Sequence, residues 1–377
     1  MTTTSPDVTD KDPFTPECFY FMTLDPVHIG AGGYRLGRVD MTIAREPGTQ
    51  LPKIPGTSLA GAARSYAAIR YGKTAAAGQH KDLKKEQKLQ CPIIYTFGTA
   101  TDPSEAGTSG ASSEGPSQAG TVSIGDAHIL FFPVNSMAGP VWVSTKEIIQ
   151  EVWGKDSVGR SPNAQQEVVA TSKTVITSLK DWNKDILNLG WLLFTCEKGL
   201  QINPRLAAAQ GGSSQEPEQP SEWTAIANRI VLVDTKLFSQ IVNSNLEVRT
   251  SVSIDPKTGA AAKQALFTYE AIPRATWLYC DVIEDNYRRD KNGASLFPKT
   301  TKQCKVTPGD KDTVIYEENA GDQTLEPPWN RPLDVVKAGM RLIEQLGVGG
   351  MGTRGFGRMR LIAPREVSNG GKKNAGG

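Results

Sequence analysis

Histidine, cysteine and long apolar runs are all scarce in this chain of 377 residues. The three histidines, His28, His80 and His128, are too few and too widely spaced for a histidine-rich metal cage. The five cysteines are odd in number and never form a CxxC pair, which argues against a disulfide scaffold or a cysteine zinc site. We therefore expect a reducing, cytoplasmic setting.

Membrane and export signals are also lacking. The longest apolar stretch, residues 129–143, is interrupted by Asn135 and Ser136, and it is shorter than the ~20 residues of a membrane helix. The N-terminal segment is acidic and polar, without the basic and apolar regions of a secretory signal. We therefore expect no membrane partner.

Neither sign of charge is in large excess. The chain has 42 Lys and Arg residues and 40 Asp and Glu residues, for a net charge of +2. A nucleic-acid partner would have to bind a localised basic surface. Hydrophobic residues make up 38% of the chain, whose length is about two and a half times a usual ~150-residue domain. This composition indicates a globular protein with an apolar core.

Four polar segments are predicted to lie outside that core. They are a flexible leader (1–16), two mobile inserts (100–120 and 205–221) and a flexible tail (366–377). Their few apolar side chains cannot bury enough area to offset the entropy lost on ordering. The remaining residues, 17–365, are expected to form a single domain.

Apolar periodicity between these segments predicts a mixture of strands and helices, hence an α+β core. Strands are predicted at 18–24, 122–132, 229–234, 247–254, 277–283 and 358–362, and helices at 57–71, 236–242 and 333–346. Thr57 or Ser58 is expected to cap the first helix. The side chains predicted to face inward from it are Leu59, Ala62, Ala63, Tyr66 and Ile69.

A glycine-rich turn follows the last predicted helix, with the sequence GVGGMGTRGFG over residues 347–357. It satisfies G-x-G-x-x-G, but a helix precedes it and a strand follows, so a dinucleotide site is excluded. Amides around Gly349 and Gly350 could point at a phosphate beside the charges of Arg354 and Arg358. The alternative is an ordinary turn between a helix and a strand.

A second glycine-rich loop carries His28, Arg35, Arg38 and Asp40, and it leads to a helix N-terminus that could hold an anion. Asp40 is the single acid between Asp25 and Glu46. It either forms an ion pair with Arg38 or Arg45, or it binds a divalent ion or assists attack by a ribose 2′-hydroxyl. His28 is either a structural hydrogen-bonding group or a catalyst.

Several blocks resemble, in the same order, the backbone ribonuclease subunit of Cmr-type (type III-B) CRISPR effector complexes. That subunit belongs to the RAMP superfamily and is related to the Csm-type backbone subunit. The resemblance extends roughly over residues 19–362. The blocks are PVHIGAG, LGRVDMTIARE, LPKIPGTSLAGAAR, TVSIGDAHILFFPVNSMAG, RIVLVD, EVRTSVSIDPKTGAAAKQALFTYEAIP and GVGGMGTRGFGRMRL.

The resemblance implies a ferredoxin-like (RRM-like) RAMP core with a β-hairpin thumb and lid insertions. It implies that several copies stack along a crRNA, together with other Cmr-type subunits. Each copy would cut the paired target RNA at regular intervals, with a divalent metal, Mg²⁺ or Mn²⁺.

The resemblance also assigns residues. Asp40 corresponds to the aspartate that is essential for cutting in the family, and it is the implied metal ligand. His28 corresponds to the histidine of the P-x-H-x-G turn. Glu270 matches the second acid of the family's L-F-Y-E-E segment, whereas Tyr269 stands in place of the first.

The family's S-L-K-G helix segment reads Ser58-Leu59-Ala60-Gly61 here, so its RNA-binding lysine is missing. Arg64 is expected to supply more of the charge, with Arg35, Arg38, Arg45 and Ser58 as further RNA-binding residues. Guide RNA would be held through phosphate and ribose, because its sequence varies.

The implied reaction is attack of a ribose 2′-oxygen on the neighbouring phosphate, near Asp40. It would leave a 2′,3′-cyclic phosphate and a 5′-hydroxyl, and DNA would bind uncut. The main alternative is a non-catalytic crRNA-binding scaffold whose partners do the cutting. A third possibility is a guide-processing endonuclease.

Overall fold

The computed structural model describes residues 14–32, 39–78, 91–99, 119–160, 169–206, 219–254, 256–285, 287–289, 295–298, 303–306, 314–317 and 329–362. Most of the predicted leader, inserts and tail lies outside these ranges. Both ends of the second insert are wrong, because Leu206 is buried and Ser221 begins a helix. The leader boundary is wrong too, because Phe14–Pro16 already belong to the first strand. Their backbone pairs with Ile283–Asp285 of a neighbouring strand, and a backbone ladder does not require apolar side chains.

The described elements confirm a mixed α+β fold. The helices are α1 (Gly56–Arg70), α2 (Pro92–Phe97), α3 (Lys146–Trp153), α4 (Ser221–Ile226), α5 (Thr235–Ser244) and α6 (Pro332–Leu346). The strands are β1 (Phe14–Thr23), β2 (Lys53–Ile54), β3 (Val122–Ile124), β4 (Ala127–Ser136), β5 (Gly139–Ser144), β6 (Val158–Arg160), β7 (Thr174–Thr177), β8 (Ile186–Leu189), β9 (Leu192–Lys198), β10 (Leu200–Ile202), β11 (Ile230–Leu232), β12 (Glu247–Ile254), β13 (Ala261–Ala271), β14 (Trp277–Asp285), β15 (Gln303–Val306), β16 (Val314–Glu317) and β17 (Met359–Ile362).

One large sheet organises the described part of the chain, with the strand order β17-β1-β14-β4-β5-β11-β7-β9-β8. Its pairs are antiparallel apart from β5–β11 and β7–β9, which are parallel. β1 lies between β14 and β17, so the first and last strands of the described chain are neighbours. This pairing brings the loop after β1 next to the glycine-rich turn before β17.

α1 and α6 pack against each other through small residues. A Cβ at Gly339 would lie 2.1 Å from the carbonyl oxygen of Ala63, so the two backbones are in direct contact. The expectation that Ile69 faces inward is wrong, because its side chain is 52% exposed. Ala67 and Ala68 are buried instead, since α6 approaches on the alanine side of α1.

The N-terminus of α1 is capped by a residue from a distant segment. Neither Thr57 nor Ser58 forms the predicted cap. Asp126, between β3 and β4, accepts a hydrogen bond from the Gly56 amide at 2.7 Å. A carboxylate therefore already occupies the helix end that the sequence suggested as an anion site.

β12 and β13 form a separate two-stranded hairpin whose register runs from Glu247 opposite Ala271 to Ile254 opposite Ala261. The sequence predicted the first of these strands with its observed bounds. The ferredoxin-like arrangement, the thumb and the lid remain predictions. No helix within the described ranges is both long and apolar enough to cross a bilayer.

Candidate functional site

The base of the β12–β13 hairpin is joined to the segment that follows the second glycine-rich loop. The Met41 amide donates to the carbonyl of Thr268, and the Glu270 amide donates to the carbonyl of Met41, each at 3.0 Å. These bonds place residues 40–42 alongside β13. Asp40 therefore lies directly beside Thr268.

Asp40 is exposed, yet its carboxylate is held in place. Its Oδ2 accepts from the Thr268 amide at 2.7 Å and from the Thr268 hydroxyl at 3.0 Å. The Asp40 amide in turn donates to the Thr268 hydroxyl at 3.1 Å. The bonds from Thr268 lower the pKa of Asp40 below its ordinary value, because they stabilise the ionised form. The site thus presents a fixed negative charge at the surface.

His28 is buried and connects three segments. Its Nδ1 lies 2.6 Å from the backbone carbonyl oxygen of Glu270, which can only accept, so Nδ1 carries the proton. Its ring meets the ring of Tyr269 edge-on, and its own carbonyl accepts from the Gly350 amide at 3.0 Å. In the neutral ring, Nε2 is then the atom with an acceptor lone pair.

Glu270 forms an ion pair with Arg45, at 2.9 Å between Oε2 and Nη2. Arg45 also donates to Asn243 Oδ1 and to the Ile43 carbonyl oxygen, each at 3.2 Å. The structure therefore does not contain the Asp40–Arg45 ion pair, which the sequence leaves open as one alternative for Asp40. These contacts favour structural roles for Arg45, predicted to bind RNA, and for Glu270, predicted to be catalytic.

The glycine-rich turn closes on its own chain. The Val348 amide donates to the Gly357 carbonyl, and the Gly357 amide donates to the Pro26 carbonyl, both at 2.9 Å. The Gly350 amide is bonded to His28, so it is not the phosphate donor that the sequence suggested. A Cβ atom at Gly349 would lie 2.5 Å from the His28 carbonyl oxygen. Glycine is required at this position because the two backbone segments approach each other so closely.

The two arginines of this turn differ in their contacts. Arg358 forms a forked ion pair with Asp25, at 2.5 and 3.1 Å, which lowers the pKa of Asp25 and raises that of Arg358. The exposed Arg354 lies over the ring of Phe267, 5.6 Å from its centre. Only Arg354 of this pair therefore presents a guanidinium that no described carboxylate holds.

Of the other predicted RNA-binding residues, those in α1 are described and those in the second glycine-rich loop are not. Arg64 donates to the carbonyl oxygens of Ala76 and Gly98, at 3.3 and 3.0 Å, and burial lowers its pKa. These bonds favour a structural role for Arg64. Ser58 is half-buried in the first turn of α1. Arg35 and Arg38 are outside the described residues.

Two side chains near the hairpin base were missed by sequence reasoning. Thr268 binds Asp40, and Arg249 lies over the ring of Phe356, 4.8 Å from its centre, while pairing with Glu247. A threonine or arginine in a strand carries no spacing signature. Only the pairing of β12 with β13, and of β13 with residues 40–42, identifies them.

Metal ligands are few at this site. Within the described ranges, no three His, Cys, Asp or Glu side chains gather in a way that could hold an ion. Asp40 offers a single carboxylate, and the carboxylate of Glu270 is held by Arg45. A divalent ion would therefore fit only with one protein ligand, its other ligands coming from phosphate oxygens and water, which is a usual arrangement for Mg²⁺.

Comparison with known proteins identifies the family of this chain. The RAMP superfamily sequence model matches residues 20–360. The chain therefore belongs to the RAMP superfamily, as the sequence blocks indicated. It is also similar to the CRISPR system Cmr endoribonuclease Cmr4 of Pyrococcus furiosus, with 29% identity over 279 residues, 73% of this chain and 83% of the relative. That similarity confirms the resemblance to the Cmr-type subunit.

Solved structures share the fold. The Type III-B Cmr-beta complex bound to cognate target RNA contains a chain that matches with a TM-score of 0.52 and 14% identity, over 92% of this chain and 96% of that one. A chain of the apo state of Cmr-beta matches with a TM-score of 0.50 and 13% identity, over 94% and 98%. At such low identity these matches show a common fold.

Proposed function

We propose that this chain is a crRNA-binding backbone subunit of a type III-B CRISPR complex and that it cuts the guide-paired target RNA. The similarity to a relative named as a Cmr endoribonuclease supports the reaction class. The observation on which the proposal depends is the exposed carboxylate of Asp40, fixed by Thr268 at the base of the β12–β13 hairpin.

The proposed partners are crRNA, target RNA, other copies of this chain and other Cmr-type subunits, in the cytoplasm. The hairpin is the proposed thumb, which would separate paired bases in a neighbouring copy. Guide RNA would contact the exposed Arg354, because guanidinium groups bind phosphate without reading the base.

The proposed reaction is attack of a ribose O2′ on the adjacent phosphorus. The new O2′–P bond forms as the P–O5′ bond breaks, the 2′-hydroxyl loses its proton, and the departing O5′ gains one. Asp40 is a weak proton acceptor because its pKa is low, so its role is to orient the reacting groups by charge. A divalent ion beside Asp40 would stabilise the charge that builds up on the phosphate oxygens.

His28 and Glu270 are proposed to position this centre. His28 contacts the hairpin base through its buried ring and the glycine-rich turn through its backbone carbonyl, and Glu270 ties that base to Arg45. Both contacts fix the backbone next to Thr268. Geometry imposed in this way supplies part of the rate enhancement, because the linkage to be cut must lie in line with its attacking oxygen.

The test uses the assembled complex with Asp40→Asn, and with Asp156→Asn as a control at another exposed aspartate. We expect Asp40→Asn to lower the cutting rate by about 100-fold or more while crRNA and target binding stay unchanged. Products should carry a 2′,3′-cyclic phosphate, and 2′-deoxy substitution at a cut site should abolish that cut. Regular cuts by Asp40→Asn would instead support the non-catalytic scaffold.

The metal requirement is tested separately in the same complex. Chelation should stop cutting without releasing the target, and Mg²⁺ or Mn²⁺ should restore it. Full activity after chelation would contradict the assignment of a divalent ion to Asp40.

A further inference from the structure

We propose that Thr268 is the positioning residue of the cleavage site, and that its hydroxyl sets the orientation of the Asp40 carboxylate. This inference depends on the proposed function, since it gives Thr268 a part in that same reaction. No family motif assigns the position. The family segment L-F-Y-E-E has a tyrosine where this chain has Thr268.

The hydroxyl of Thr268 bonds to Asp40 in both directions. It accepts from the Asp40 amide at 3.1 Å and donates to Asp40 Oδ2 at 3.0 Å. One oxygen atom thus links the backbone of Asp40 to its own side chain and restricts rotation about the bonds between them. A group without both a donor and an acceptor at this point cannot form that link.

Both bonds from Thr268 to the carboxylate converge on a single oxygen, since its amide also donates to Oδ2, at 2.7 Å. In the part of the chain that is described, no other residue donates a hydrogen bond to Oδ1. The two carboxylate oxygens of Asp40 therefore have different roles. Oδ2 anchors the side chain, and Oδ1 is the oxygen left to face RNA or an RNA-bound ion.

Thr268 itself is held rigidly. The backbone bonds of Met41 with Thr268 and Glu270 fix the register on that edge of β13. Side chains alternate along a strand, so the neighbours Phe267 and Tyr269 face the opposite side from Thr268. Tyr269 is buried and packs edge-on against the ring of Phe356, which anchors that face of the strand. A rigid support is what keeps a reacting group within the narrow geometry that catalysis requires.

The experiment compares Thr268→Val with Thr268→Ser in the assembled complex. Thr195→Val is the matched control, because Thr195 is an exposed threonine of β9, outside the hairpin, and undergoes the same chemical change. Single-turnover cutting is measured over a range of target concentrations, which separates the maximal rate from the half-saturating concentration. Assembly on crRNA and the melting temperature are measured for each variant.

We expect Thr268→Val to lower the maximal rate by about 10- to 100-fold, since a displaced reacting group costs that much. The half-saturating target concentration should stay within about two-fold, because target binding does not involve this hydroxyl. Thr268→Ser, which keeps the hydroxyl, should cut within about three-fold of the unmodified complex. Thr195→Val should cut normally.

The outcomes that overturn this inference differ from those that overturn the proposed function. A normal maximal rate in Thr268→Val, with Asp40→Asn inactive, removes the role of Thr268 and leaves the function intact. Cutting by Asp40→Asn removes the function itself. Thr268→Ala is the second hydroxyl-free variant if Thr268→Val does not assemble, and a normal rate in Thr268→Ala also overturns the inference. A rise in half-saturating concentration alone would show that the hydroxyl serves binding, and overturns it too.

Discussion

The carboxylate of Glu270 and the guanidinium of Arg45 lie 2.9 Å apart, with only 15% and 16% of their side chains exposed. This ion pair joins the hairpin base to the segment that follows Asp40. Together with the Thr268 bonds, it gives that segment two separate attachments to β13. The proposed cleavage site is thus assembled from two distant parts of the chain, since Asp40 and Thr268 are separated by 228 residues in the sequence.

Removing Glu270 should destabilise the protein through the arginine left behind. We expect Glu270→Ala to lower the free energy of unfolding by about 2 kcal/mol, because a mostly buried charge loses its partner. Urea unfolding measures the effect. The double variant with Arg45→Met should be more stable than the sum of the single changes predicts. Additive losses would show that the pair contributes little.

Arg354 and Arg358 should differ in their contribution to RNA affinity. Arg354→Ala should weaken crRNA binding for all sequences alike and reduce the slope of log affinity against log salt by about one unit. Arg358→Ala should have the smaller effect, because Asp25 already holds that guanidinium. Filter binding at several salt concentrations tests both variants. An equal or larger loss for Arg358→Ala would show that RNA displaces Asp25.

Glycine-to-alanine changes in the packed helices α1 and α6 should have opposite effects on the free energy of unfolding. A Cβ at Gly339 would lie 2.1 Å from the Ala63 carbonyl oxygen, so Gly339→Ala should cost about 2 kcal/mol of stability. A Cβ at Gly61 of α1 would meet nothing within 4 Å. Gly61→Ala should therefore stabilise by about 0.5–1 kcal/mol, since alanine favours the helix. Chemical denaturation measures both, and stabilisation by Gly339→Ala would contradict the close helix packing.

Glu284 should make stability depend on pH. Burial raises the pKa of Glu284, although the Leu333 amide and nearby Arg331 oppose that shift. Its contribution to stability is therefore fully present below the ordinary carboxyl pKa and is lost as pH rises through the raised value. Glu284→Gln should raise the melting temperature at neutral pH and leave it unchanged near about pH 4.

The control for this prediction is Asp285→Asn, at the exposed neighbour on β14. It should shift the melting temperature by less than Glu284→Gln at neutral pH. A lower melting temperature of Glu284→Gln at neutral pH would show that the buried carboxylate is stabilising in its charged form.

The helix and strand patterns of the sequence predicted several of the long elements but missed others, among them α3, β9 and β13. The predicted helix over 333–346 is α6, and the predicted strand over 247–254 is β12. The strand predicted over 122–132 is two strands, β3 and β4, interrupted at residues 125 and 126, where Asp126 caps α1. Periodicity shows which side chains share one face of a strand or helix. It does not show where a turn allows a carboxylate to reach a helix that is distant in the sequence.

The sequence by itself determined the family, the α+β class and the candidate Asp40, because each depends on local patterns or on blocks in a fixed order. The tertiary structure alone decided which polar groups satisfy one another. The Thr268 hydroxyl donates to Asp40, Glu270 pairs with Arg45, and the Gly350 amide donates to the His28 carbonyl. Hydrogen-bond partners depend on which segments the fold brings together. Those segments can be far apart in the sequence, and Gly350 and His28 are separated by more than 300 residues.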